Sequence, residues 1–151
     1  MALAGDFVIE DGIEDVHSQV ELLLTKALGD IGKKIHSGRS RNDQVLVDLR
    51  LYFRAELATI VRQIETLSTL LLEKAEANKE VLLPGYTHLQ VAMVSSFGLW
   101  FSAYAESLTD DLELWRATHH IINQNPLGSA AWYGSSFPLN RQRTTELLGF
   151  R

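Results

Sequence analysis

The chain has 151 residues, 46% of them apolar and 22% charged, which is the size and composition of about one globular domain. A net charge of -5 and a pI near 5.5 argue against a general binder of nucleic acid or anionic membranes, and they point any local basic loop toward a small anionic substrate. The absence of cysteine excludes disulfides, thiolate nucleophiles and cysteine-bound metals.

Asp15, followed by Val16, Val20, Leu23, Leu24 and Leu28, predicts a helix of roughly four turns that ends at Gly29. Gly29 to Gly38 is expected as a loop. From Asn42 or Asp43 a helical pattern runs to about Asn78 through Val45, Leu49, Tyr52, Phe53, Leu57, Ile60, Ile64, Leu67 and Leu71. No Gly or Pro interrupts it, and at 1.5 Å per residue it would be about 50 Å long. Lys79 to Gln90 is the next break, marked by Pro84-Gly85. A second long helix is expected from about Val91 to Asn123, faced by Phe97, Trp100, Phe101, Tyr104, Leu108, Leu112, Trp115 and Ile122, with Gly98 allowing close packing. Pro126 closes it, and Leu127 to Leu139 is an irregular, Gly- and Ser-rich loop of functional aspect. Asn140 caps a short helix, Arg141 to Leu148, with Gly149 at its end. No strand pattern stands out, so the class is all-α. Two long amphipathic helices and two short ones leave wide apolar stripes uncovered, so the chain is expected either to assemble with copies of itself or to be a piece of a longer protein. Met1 to Glu10 lacks the basic start and apolar run of a signal peptide. Val91 to Leu108, the most apolar long stretch, carries Ser95, Ser96, Ser102 and Glu106 and makes a poor membrane span. A cytoplasmic location is expected by the absence of any other address.

Three segments carry chemistry-bearing residues. Ser37-Gly-Arg-Ser-Arg-Asn-Asp-Gln44 crowds Arg39, Ser40, Arg41 and Asn42 into the start of the long helix. Backbone N–H groups at a helix start, with two arginines beside them, suit a carboxylate-rich or phosphate-bearing ligand. The plainer reading is a helix cap with two solvated arginines, in which Asp43 serves the helix dipole. Gly85-Tyr-Thr-His-Leu-Gln90 sets His88 beside the Thr87 hydroxyl, either an acid/base pair with a substrate anchor or a structural hydrogen-bonder. Leu127 to Ser136 has small residues that admit close backbone approach, with Ser129 a candidate anion ligand and Trp132 and Tyr133 packing residues. His17 and Glu21 lie four apart, a metal-binding spacing, but no third ligand is nearby and a hydrogen bond on the helix surface fits better, so no metal is expected. His119 and His120 complement a helix C-terminus and imply nothing more.

Taken together, Ser37–Gln44 and Gly85–Gln90 resemble two of the three signature regions of argininosuccinate lyase, in the fumarase/aspartase superfamily. Further similarity runs through Glu14-Asp15-Val16-His17, Leu83-Pro84-Gly85 and Asn125-Pro126-Leu127-Gly128-Ser129. Fumarases and adenylosuccinate lyases share a Thr-His pair but not the whole Ser37–Gln44 string. The resemblance implies a long-helix bundle, incomplete here. Residues 1–41 would be the end of an N-terminal helical domain and 42–151 the first part of the central bundle.

The activity implied is reversible β-elimination of argininosuccinate to arginine and fumarate, the last step of arginine biosynthesis, with no metal or organic cofactor. Carried over by position, Asn42, Thr87 and Gln90 bind substrate. Ser40 and Arg41 line the same pocket, and His88 takes part in proton transfer or orients a carboxylate. His17, Arg39 and Ser129 support them. The family assembles as a homotetramer whose active sites each draw on three subunits, with neither nucleic acid nor membrane as partner. Its third signature, similar to Gly-Ser-Ser-x-Met-Pro-x-Lys-x-Asn, is not matched. Gly134-Ser-Ser-Phe-Pro-Leu-Asn140 mimics it without the Met-Pro and Lys positions. The chain is therefore expected to be an internal portion that has little lyase activity alone. Val94 stands where the family usually starts a helix with proline, and Trp132 where glycine is common. The alternatives are a catalytically silent helical assembly protein, like the lens crystallins that resemble this lyase, and another superfamily lyase acting on a different succinyl adduct.

Overall fold

The computed structural model describes Gly5 and residues 7–151. Helix α1, Val16–Leu28, begins where the Asp15 carboxylate accepts the Ser18 N–H at 2.9 Å and stops at Gly29, whose φ of 64° lies in the left-handed region. The segment expected as a loop is instead a 3-10 helix over Gly29–His36. Short 3-10 turns are common where an α-helix ends, and their three-residue repeat leaves no apolar stripe of period 3.6 to read. Helix α2, Arg41–Ala77, has 37 residues and spans about 55 Å. Its bounds lie within two residues of the expected ones.

The largest departure from expectation follows α2. Strands β1, Leu82–Thr87, and β2, Gln90–Ser96, form an antiparallel hairpin, so helix α3 starts at Phe97 rather than Val91 and runs to Ile122. Val91 and Val94 are β-branched and fit a pleated ladder, and the Ser96 hydroxyl accepts the Leu99 N–H at 3.1 Å to fix the helix start. Val94 therefore pairs with Pro84 in the ladder and does not open a helix. Pro84 is tolerated because a two-stranded sheet has only edges. The register slips between Gly85 and Tyr86, where Gly85 faces Met93 and Tyr86 faces Val91, leaving Ala92 as the extra residue of a bulge. Helix α4, Arg141–Leu147, is capped by the Asn140 side chain, which accepts the Arg143 N–H at 2.9 Å. The all-α expectation holds for the architecture, with this one hairpin added.

Two compact units result, one of Met1–Leu49 with Asn125–Arg151 and one of Arg50–Gln124. In the first, Gln19 is buried and pins the segment before α1. Its side chain accepts the Glu10 N–H at 2.9 Å and donates to the Glu10 carboxylate at 3.2 Å. In the second, Leu57, Ala75 and Ala105 are buried, and Gly98 lies so close to the end of α2 that a Cβ would meet the Ala75 carbonyl oxygen at 2.9 Å and, in the turn that follows, Lys79 Cα at 2.7 Å. Arg50 donates to the Gln124 carbonyl and Arg54 to the Asn123 side chain, which satisfies acceptors at the end of α3. Many large apolar residues of this unit are exposed, including Leu72, Tyr86, Met93, Val94, Leu99, Leu114 and Ile121. No helix among the described residues is long and apolar enough to cross a membrane.

Candidate functional site

In the first unit the site residues gather at the head of α2. The Ser40 hydroxyl accepts the Asn42 N–H at 3.3 Å, and the Ser40 N–H returns a bond to Asp43 Oδ1 at 2.9 Å. This reciprocal capping box satisfies two backbone donors and fixes the chain's entry into the helix. Asn42 is left exposed on the first turn, while Asp43 is 1% exposed. The other Asp43 oxygen, Oδ2, accepts the N–H groups of Gly128 at 3.0 Å and Ala130 at 2.9 Å. Asp43, expected to do no more than serve the helix dipole, is thus the buried junction between the two conspicuous polar segments of this unit.

The far side of the Leu127–Ala130 turn is held by Arg141. Its Nε donates to the Leu127 carbonyl at 2.9 Å, and its Nη2 lies 3.4 Å from the Ser129 hydroxyl. The Arg141 stem runs against Gly128, where a Cβ would sit 2.8 Å from Cγ and Cδ, and Gly128 has φ of 94°. Only glycine meets both demands. Asn125 braces the start of the turn, accepting the Leu127 N–H and donating to the hydroxyls of Thr144 and Thr145. Trp132, where glycine was noted as common in the resembling family, has φ of 96° and is largely exposed.

Arg41 is engaged. Its guanidinium bonds the Glu14 carboxylate at 2.5 Å and lies 3.2 Å from Asp15 Oδ2. That contact holds the Glu14 carboxyl below its usual range and raises the Arg41 value further. The Asp15 carboxyl is lowered too, first by the Ser18 backbone N–H it caps, then by the Ser18 hydroxyl, with a smaller part from Arg41. Any anion reaching Arg41 must share it with these two carboxylates. Arg39 donates to the Ile35 carbonyl at 3.4 Å and borders a cleft of about 230 Å³ with His17, Glu21, Gln44 and Asp48. His17 Nδ1 stands 3.7 Å from Asp48 Oδ2. Glu21 is taken by His36, whose Nδ1 lies 2.9 Å away, so the His17/Glu21 spacing does not converge on one point. Gln44 Oε1 is buried on this cleft with no partner among the described residues.

In the second unit, Thr87 and Gln90 close the β1–β2 hairpin, and His88 and Leu89 form its two-residue turn. Both turn residues have positive φ, 49° and 66°. This is the requirement of a type I′ turn, normally met by Asn and Gly. His88, Leu89 and Gln90 project into solvent in this chain. Non-glycine residues held in the left-handed region cluster at working sites, where the surrounding structure over-determines them.

A model of the lyase family matches residues 2–150. The chain belongs to the lyase family. It is 68% identical over 146 residues to an argininosuccinate lyase of Parabacteroides distasonis and 64% identical to that of Bacteroides thetaiotaomicron, covering 97% of this chain and 33% of each relative. A Stenotrophomonas maltophilia argininosuccinate lyase is 46% identical over the same share of the chain. The chain therefore spans about a third of the length of the curated relatives it matches. Among solved structures, EDDS lyase in complex with formate superposes on 99% of this chain and 29% of its own, with TM-score 0.86 and 32% identity. An EDDS lyase variant with bound fumarate covers 87% of this chain at TM-score 0.82.

The joining role of Asp43 and the grip of Arg141 on the Leu127–Ala130 turn were not expected from the sequence. The signal available for Asp43 was its place three residues after Ser40, the capping-box spacing. Nothing in the sequence near Arg141 announced its partners.

Proposed function

We propose that this chain is the part of an argininosuccinate lyase that carries two of the enzyme's three substrate-contacting segments. The observation that carries the reading is the 64–68% identity to curated argininosuccinate lyases along 97% of the chain. In that enzyme, residues 1–41 end the N-terminal helical domain and residues 42–151 begin the central bundle. The reaction is a reversible β-elimination of argininosuccinate to arginine and fumarate, without metal or organic cofactor. A base removes the proton from the carbon beside a carboxylate, and negative charge spreads onto that carboxylate. The guanidino nitrogen then leaves with a proton from an acid.

Such a path needs fixed N–H groups and cations where charge grows. Ser40, Arg41 and Asn42 at the head of α2 supply that kind of environment, and Asn42 and Thr87 bind the substrate with Gln90. His88 moves a proton or orients a carboxylate. His17, Arg39 and Ser129 support the pocket. The exposed apolar faces of the second unit favour a homo-oligomer, a tetramer on the family pattern, in which neighbouring subunits complete each site. The enzyme works in the cytoplasm on a small-molecule substrate. The test is fumarate release by the protein at the full length of its relatives. Argininosuccinate should yield fumarate and adenylosuccinate should not. Release from adenylosuccinate alone would favour a lyase for another succinyl adduct.

A further inference from the structure

We propose that Asp43 is a positioning residue that locks the substrate loop at the head of α2 and the Leu127–Ala130 turn into one rigid piece. The carboxylate is 1% exposed and its two oxygens divide the work. Oδ1 accepts the Ser40 N–H at 2.9 Å and completes the capping box that presents Asn42. Oδ2 accepts the N–H groups of Gly128 and Ala130 at 3.0 and 2.9 Å, from a segment 85 and 87 residues further along the chain. Two turn donors, one on each side of Ser129, share one buried oxygen and fix the turn's height and tilt, and with them the Ser129 side chain between them. Arg141 grips the same turn from its other side through the Leu127 carbonyl. A buried charged acceptor with three N–H donors is a strong clamp, because losing it orphans all three at once. The clamp stands on geometry alone. Its consequence for substrate rests on the argininosuccinate lyase reading.

Two variants separate the two halves of the clamp. In Asp43→Asn the side-chain oxygen can keep Gly128 and Ala130, but its NH2 group faces the Ser40 N–H and the capping bond is lost. In Asp43→Ala both are lost. In the full-length protein, hydrogen exchange of the peptide spanning Leu127–Ala131 should speed at least tenfold in Asp43→Ala and stay within threefold of the parent in Asp43→Asn. KM for argininosuccinate should rise at least tenfold in Asp43→Ala and at least threefold in Asp43→Asn, with kcat changing less than KM. Leu57→Ala, a buried truncation in the other unit, controls for general loosening and should move neither readout.

Unchanged exchange and unchanged KM in Asp43→Ala would overturn the proposal, as would equal effects from Leu57→Ala. Should Asp43→Ala fail to fold, Asp43→Asn decides, and an unchanged KM there is the overturning result. A parent protein that releases no fumarate sinks the lyase reading instead, and the exchange measurement still decides the clamp.

Discussion

Replacing Leu89 by glycine should stabilise the protein while weakening its chemistry. Leu89 holds φ at 66° and is 93% exposed in the chain. An L-residue in the left-handed region costs about 1–2 kcal/mol, which glycine does not incur. Against this, glycine gives the unfolded chain more freedom, at about 0.5–1 kcal/mol. The side chain is so exposed that little burial is lost, about 0.3 kcal/mol on the area scale. The balance is a gain of about 0.5 kcal/mol. Urea unfolding of parent and variant at one fixed protein concentration reads it directly, since assembly makes the midpoint depend on concentration. The same variant should lose activity, because a glycine beside His88 frees the turn that aims the imidazole. A destabilisation above about 1 kcal/mol would refute the reasoning, for it would mean that Leu89 is held by packing in the assembled protein and not strained in an open turn.

The other predictions follow from single contacts. Gly98→Ala puts a Cβ 2.7 Å from Lys79 Cα, a backbone atom that cannot swing away, and should cost about 1–3 kcal/mol in urea unfolding. Glu14, Asp15 and Glu10 all have carboxyls held below their usual values, Glu14 through Arg41 and Glu10 through Lys26 and Gln19. A carboxyl lowered in the folded state stabilises above its unfolded value and loses that contribution as pH falls through the folded one. Melting should therefore fall on acidification below the ordinary glutamate value of 4.5, less steeply in Glu14→Gln than in the parent. Identical acid limbs would remove Arg41–Glu14 from the account. His88→Asn keeps a residue that tolerates positive φ, so the turn survives while the imidazole is lost, and kcat should drop by about 10²–10⁴-fold. An unchanged rate would take His88 out of the mechanism.

Helix ends were the most legible part of the sequence, because caps are local chemistry. Asp15 and Asn140 sit where their side chains start a helix, and Gly29 where its backbone ends one. The ends of α2 were equally legible, since a long uninterrupted three-four repeat admits one reading. The hairpin was not. Val91, Val94 and Phe97 recur at helical steps, so β2 reads as a continuation of α3, and Pro84-Gly85 hides the short alternation of β1. The polar segments were visible as candidate sites, but their bonding was not. Arg41 looked available to substrate, whereas Glu14 and Asp15 already face it, 27 and 26 positions earlier in the chain. Asp43 looked like an ordinary first-turn acid because its deciding partners, Gly128 and Ala130, lie far away in sequence. Local pattern finds caps and faces. A buried carboxylate that joins distant loops shows only once the chain is folded.

The most direct test of the central claim is fumarate release from argininosuccinate by the full-length protein, measured beside its Asn42→Ala and His88→Asn variants. The account predicts release by the parent and a loss of at least a hundredfold in kcat/KM in both variants. A parent that releases none, or variants that match it, would contradict the assignment of these two segments to a lyase active site.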